Sequence, residues 1–185
     1  MLWLKSVSAA ALAGLLVGVL DYAAISSLTI RFYRISTNSM APTISAGDRI
    51  AVDLRYYSDH TPERGDVVVV KRPNGMLIVK RIAALGGEVA EGKEGRVFVN
   101  EKPFDDRHRV EAREVQQMPP SLKGVMEFGP ESVPAGRFFV LGDNRTHSWD
   151  SRSPDFGPVD RSDIRGKVLY AYWSNDLSRV GKRVE

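Results

Sequence analysis

The chain has 185 residues, with 26 Lys and Arg interspersed among 23 Asp and Glu for a formal net charge of +3. That length fits one main body with a sizeable core, and the absence of a basic block argues against a nucleic-acid partner. With no cysteine and three scattered histidines, disulfides and thiol catalysis are excluded, no metal-ligand spacing is present, and no cofactor is expected.

Between Lys5 and Arg31 lie 25 residues whose only charge is Asp21. A spanning helix needs roughly 20 apolar residues, so residues 1–30 are expected to form a membrane anchor with the lipid bilayer as partner. Two other readings compete: a cleaved secretory signal, with Lys5 as its basic end and Val7 to Leu20 as its apolar stretch, and a buried core helix. Asp21 counts against the anchor, because a carboxylate in hydrocarbon costs about 2.5 to 3.5 kcal/mol unless it sits near an interface or pairs. Lys5 and the amino terminus balance Arg31 and Arg34, so charge leaves the orientation open.

From Phe32 to Ile35 and from Arg49 to Leu54 apolar residues alternate with polar or small ones, as half-buried strands do. Between them runs Ser36 to Asp48, rich in hydroxyl residues. Pro42 fixes its own φ and biases Ala41 towards extended backbone, so Ser39 and Met40 sit on a stiff connector. On composition alone the stretch also reads as an ordinary surface loop. Asp66 to Lys71 and Met76 to Ile82 flank Arg72-Pro73-Asn74-Gly75, which predicts a hairpin whose β-branched density makes it a buried central pair.

Gly86-Gly87 breaks that run, and Val97 to Asn100 reads as a short strand ending in a turn before Pro103. Phe104 to Met126 is polar, contains Pro119-Pro120 and lacks an apolar period, so it is expected to be an exposed insertion. Arg137 to Leu141 reads as a strand leading into Gly142-Asp143-Asn144-Arg145-Thr146-His147-Ser148-Trp149-Asp150-Ser151-Arg152, and Lys167 to Trp173 as a closing strand. After Ser174 the tail is polar and is expected to fray. No amphipathic helix is predicted after residue 31. The predicted fold is mostly β and antiparallel: an anchor at 1–30, a main body at 31–82 and 137–175, a smaller inserted β subdomain at 83–136, and a tail at 176–185.

A serine hydroxyl becomes a nucleophile only when a base takes its proton, and Ser39 has two candidate bases, His147 and Lys80. With Asp143 or Asp150, His147 would complete a triad, although it lies only three or four residues from both in a turn-rich segment. Lys80 follows Ile78 and Val79 at the end of an apolar strand, where burial lowers an ammonium pKa; a lysine at a strand end is otherwise commonly solvated. Arg81 is no candidate, because a guanidinium stays protonated.

Taken together, Ser39-Met40-Ala41-Pro42-Thr43, then Lys80-Arg81, then the Gly142 to Arg152 stretch resemble the type I signal peptidase family from about Phe32 to Trp173. The third motif is the specific one, with eight fixed residue types in eleven positions. The resemblance implies a membrane-bound serine endopeptidase, single-pass, with its antiparallel β catalytic domain on the extracytoplasmic side of the cell membrane. Such an enzyme removes signal peptides with small residues at −1 and −3 from exported preproteins.

By the same resemblance Ser39 is the nucleophile and Lys80 the general base. Thr37 supplies an oxyanion donor beside the Ser39 N–H, with threonine replacing the family's usual serine, and Ser148 orients the amine. Tyr33, Ile35, Met40 and Val79 are matched to the substrate pockets, and Asp143, Arg145, Asp150 and Arg152 to structural ion pairs. Arg81 to Glu88 departs from the family's Gly-Leu-Pro-Gly-Asp run, which leaves the loop geometry there open. Alternatives are a relative specialised for a pilin-type or conjugation substrate, and a non-catalytic, membrane-anchored domain that binds peptides by strand addition. A self-cleaving repressor would need a helical DNA-binding module where this chain has its apolar segment.

Overall fold

The computed structural model describes residues 29–184 apart from 105, 109 and 111. Nearly all of the expected anchor at 1–30 therefore lies outside the described residues. Among those that are described, no helix is long and apolar enough to cross a membrane.

Strands dominate, as the alternating patterns predict. They are β1 (Ile30–Arg34), β2 (Arg49–Asp53), β3 (Val67–Lys71), β4 (Leu77–Leu85), β5 (Val89–Lys93), β6 (Arg96–Val99), β7 (Lys102–Phe104), β8 (Glu131–Ser132), β9 (Arg137–Leu141), β10 (Val159–Asp160) and β11 (Ile164–Trp173). A seven-stranded sheet runs β1-β2-β11-β3-β4-β9-β10, and a four-stranded sheet runs β7-β6-β5-β8. The ladders β2–β11, β11–β3, β3–β4, β4–β9 and β9–β10 are antiparallel, as are those of the smaller sheet.

The β3–β4 hairpin carries the core. Because successive side chains point to opposite faces, Val67 and Val69 join one cluster with Met40, Ile44, Ile50 and Val52, while Val68 and Val70 join another with Tyr57, Ile82 and Val140. Full burial of each valine contributes roughly 1.5 to 3 kcal/mol. Its turn closes through Gly75 N–H to the Arg72 carbonyl at 2.8 Å, with Gly75 at φ 82°, where a side chain is disfavoured. A third cluster, including Ala83, Ala84, Phe139 and Leu141 with Ala90, Val97 and Val99, joins the two sheets.

Three expectations are corrected. Lys80 does not end its strand: β4 spans 9 residues and continues to Leu85, because β9 pairs with Arg81 to Leu85 and Asp143 neutralises the buried Arg81. The polar stretch from Phe104 to Met126 is not bare loop. It holds a 3-10 turn, Asp106–His108, and two helices, Ala112–Gln117 and Pro120–Met126, and it buries Val115 and Met126. With only 6 and 7 residues these helices are too short to show an apolar period, and Pro120 in the first helical turn lacks only an N–H that has no partner there. The one-turn helix at Tyr56–Asp59 is likewise too short to show an apolar period.

Nor does the tail fray. Arg179 Nε donates to Asp48 Oδ2 at 3.1 Å and its Nη2 to Ser174 Oγ at 3.0 Å. Val184 is buried, and bridges join Arg183 to Tyr170 and Val180 to Ala171 on β11.

Candidate active site

The Ser36 to Asp48 segment is a tight turn pinned at both ends. Ile35 N–H donates to the Asp48 carbonyl at 2.8 Å, Gly47 N–H to the Ile35 carbonyl at 2.8 Å, and Ile44 N–H to the Met40 carbonyl at 2.9 Å. Met40 and Ile44 are buried and root the turn in the core, while Ser39 stays partly exposed. The loop after β9 locks it from the other side, with Asn144 N–H donating to the Ser39 carbonyl at 3.1 Å. Gly142 makes this approach possible: a Cβ there would lie 2.4 Å from the Ser39 carbonyl oxygen and 2.2 Å from Ser148 Oγ, so only glycine fits.

Lys80 enters from the middle of β4 with 3% of its surface exposed. Its Nζ donates to Ser39 Oγ at 2.9 Å and to the Val79 carbonyl at 3.0 Å. Burial pushes its pKa down from 10.5 to about 8, against the opposing pull of the Asp150 and Asp143 carboxylates. Near that pH half of the side chain is neutral amine, the form that can accept a proton.

Thr37 Oγ1 stands 3.4 Å from Ser39 Oγ. Ser148 Oγ is buried and makes no hydrogen bond to Lys80 in this structure. Tyr33, Ile35, Met40 and Val79 line a cleft of about 360 Å³ with Ser39 and Lys80, and Trp149 and His147 stand at it too. His147 is exposed, with Nδ1 2.8 Å from Thr146 Oγ1. The two aspartates that could have oriented it are paired with arginines.

Those pairings differ in part from the expected set. Arg152 clasps Asp150 through Nε and Nη2, both at 2.8 Å, and Asp150 also accepts the Gly142 N–H at 2.9 Å. Asp143 instead takes Arg81, with Nε to Oδ1 at 2.8 Å and Nη2 to Oδ2 at 2.7 Å, and Arg81 Nη1 donates to the Gly65 carbonyl at 2.8 Å. Arg145 Nε donates to the Gly142 carbonyl at 3.0 Å. Burial would raise the pKa of both carboxylates, yet the arginine bonds and charges hold them below the usual range.

Two more residues belong to this network: Thr43, which the sequence marks only as part of the Ser39 motif and without a role, and His108, which it does not mark. Thr43 Oγ1 donates to Asp143 Oδ2 at 2.6 Å, and His108 Nε2 lies 3.3 Å from Thr43 Oγ1 and 3.4 Å from Asp143 Oδ2. The only signal for Arg81 was its position after Lys80 in an apolar strand, where a buried guanidinium requires a counter-charge. Nothing local marked His108. Among the described residues no group of three or more His, Cys, Asp and Glu side chains could hold a metal ion.

A hydroxyl held 2.9 Å from a buried amine is an arrangement suited to nucleophilic acyl transfer. Comparison with known proteins points the same way. The family model for signal peptidase, peptidase S26, matches residues 3–173. A signal peptidase I of Leptolyngbya laminosa is 35% identical over 157 residues, covering 80% of this chain and 71% of that protein. A probable signal peptidase I-2 of Synechocystis sp. is 32% identical over 154 residues, covering 80% of this chain and 64% of that protein. A signal peptidase IB of Staphylococcus aureus is 33% identical over 148 residues, or 76% of each chain. A match this long, at these identities, shows that the chain belongs to the signal peptidase family, peptidase S26, and is a serine endopeptidase of its type I class.

Proposed function

We propose that the chain cleaves N-terminal signal peptides from exported preproteins with Ser39 as nucleophile and Lys80 as general base. The observation that carries this reading is the buried Lys80 Nζ, 2.9 Å from Ser39 Oγ. Neutral Lys80 takes the Ser39 proton as Oγ attacks the scissile carbonyl, and the Ser39 N–H and Thr37 hydroxyl receive the developing oxyanion. The lysine then protonates the leaving amine, which departs as the new N-terminus of the mature protein. Water, deprotonated by Lys80, attacks the ester on Ser39; the signal peptide leaves with a carboxylate and serine regains its proton. Ser148, half-buried beside Gly142, orients the amine once its Oγ rotates towards Nζ.

The substrate binds as an extended strand. Leu77 to Lys80 pair with β3 on one side, while the ladder to β9 begins only at Arg81, which leaves their other edge for the incoming peptide. Tyr33, Ile35, Met40 and Val79 wall pockets for small residues at −1 and −3. Residues 1–30 anchor the enzyme in the membrane in a single pass with the β body on the extracytoplasmic side, and residues 83–136 form an inserted subdomain carrying the smaller sheet.

Incubation of the full-length chain with a preprotein bearing Ala at −1 and −3 tests the reading. Ser39→Ala and Lys80→Met should each abolish cleavage, His147→Ala should retain most of it, and Phe at −1 should be cut far more slowly than Ala. Cleavage by Ser39→Ala would refute the nucleophile, and equal rates for Phe and Ala would refute the pockets.

A further inference from the structure

We infer that His108, in the polar insertion, is a positioning residue for the Ser39–Lys80 pair, acting through Thr43 and Asp143. The inference rests on the function proposed above. Thr43 lies in the turn closed by Ile44 N–H to the Met40 carbonyl at 2.9 Å, which overlaps the turn holding Ser39, closed by Ala41 N–H to the Asn38 carbonyl at 3.0 Å, and its hydroxyl donates to Asp143 Oδ2 at 2.6 Å. The same carboxylate grips Arg81, the residue that follows Lys80 on β4. Thr43, Asp143 and Arg81 thus form one bridge from the nucleophile's turn to the base's strand.

His108 closes that bridge. Its side chain is 7% exposed, and Nε2 lies 3.3 Å from Thr43 Oγ1 and 3.4 Å from Asp143 Oδ2. The Thr43 hydroxyl gives its proton to Asp143, and the carboxylate has none to give. Nε2 must therefore carry a hydrogen and donate it towards both oxygens. Removing the imidazole opens Thr43 and Asp143 to water, which competes for the 2.6 Å bond and loosens the turn that holds Ser39. A nucleophile displaced by a fraction of an ångström from its base reacts slowly even when substrate still binds.

The test measures kcat and KM of the full-length chain on the preprotein with Ala at −1 and −3. His108→Ala should lower kcat about tenfold with KM changed by less than about twofold. His108→Gln, whose amide nitrogen reaches the position of Nε2, should recover most of the rate, whereas His108→Asn, one methylene shorter, should not. Thr43→Val should also slow the enzyme, and adding His108→Ala to it should cost much less than His108→Ala alone, because both act on one bond.

A latch that merely holds the insertion in place would show neither the Gln-over-Asn recovery nor this non-additivity. Wild-type kcat in His108→Ala, equal rates for the Gln and Asn variants, or full additivity with Thr43→Val would overturn the inference. Should His108→Ala fail to fold, the Gln and Asn contrast decides. Ser39→Ala and Lys80→Met are measured in the same series. If both are dead while His108→Ala runs at full speed, only this inference fails; if either is active, the proposed function itself fails.

Discussion

Lys80 has 3% of its surface exposed, and burying an ammonium that deeply destabilises the fold wherever the group is charged. Its folded pKa of about 8 lies below the ordinary 10.5, so between these values the unfolded chain binds more protons and stability rises with pH. Two outcomes follow at this residue. The acid limb of kcat/KM should sit near pH 8, above the range of an unperturbed imidazole, and a limb near 6.5 would point to a histidine base. Lys80→Met, which keeps the stem but loses the charge, should be inactive, and the wild type should gain about 3 kcal/mol of stability on it as pH rises from about 7 to 10.5. Denaturant unfolding of both proteins at the two pH values checks this. A stability difference that does not change with pH would mean that the amine is solvated.

At the level of elements, the β3–β4 hairpin was readable because Pro73-Asn74-Gly75 encodes a turn and the flanking runs are β-branched. The length of β4 was not readable. A charged Lys80-Arg81 step resembles a strand end until the carboxylate that neutralises Arg81, 62 residues further on, is known. The pair also dictates a stability pattern. Arg81→Met leaves the Asp143 carboxylate buried without its cation and should cost about 3 to 5 kcal/mol, whereas Arg81→Met with Asp143→Leu should recover most of that loss. The double variant should nevertheless cleave slowly, because Thr43 loses the acceptor that ties its turn to β4. Chemical denaturation and a cleavage assay on the three proteins separate the two effects; a double variant as unstable as Arg81→Met would show that the pair's packing, not its charge balance, holds the strand.

For the molecule as a whole, the 25 low-charge residues between Lys5 and Arg31 should keep the mature protein in membranes through alkaline extraction, and recovery of a soluble form beginning after Asp21 would refute the anchor. Sequence by itself determined which residue types stand at which local spacing: the Ser39 segment, the apolar strand bearing Lys80, the Gly142 to Arg152 loop, and the alternation that makes the chain mostly β. These are short-range patterns, and backbone geometry over a few residues suffices to express them. Tertiary structure alone decided the pairings across distance. It brought Lys80 to Ser39 over 41 residues, gave Asp143 to Arg81 rather than to a neighbour in its own loop, docked Arg179 on Asp48 131 residues away, and placed His108 against Thr43. The reason is that a buried charge or hydroxyl takes whichever partner strand pairing delivers, and strand pairing is set by the packing of all seven strands together.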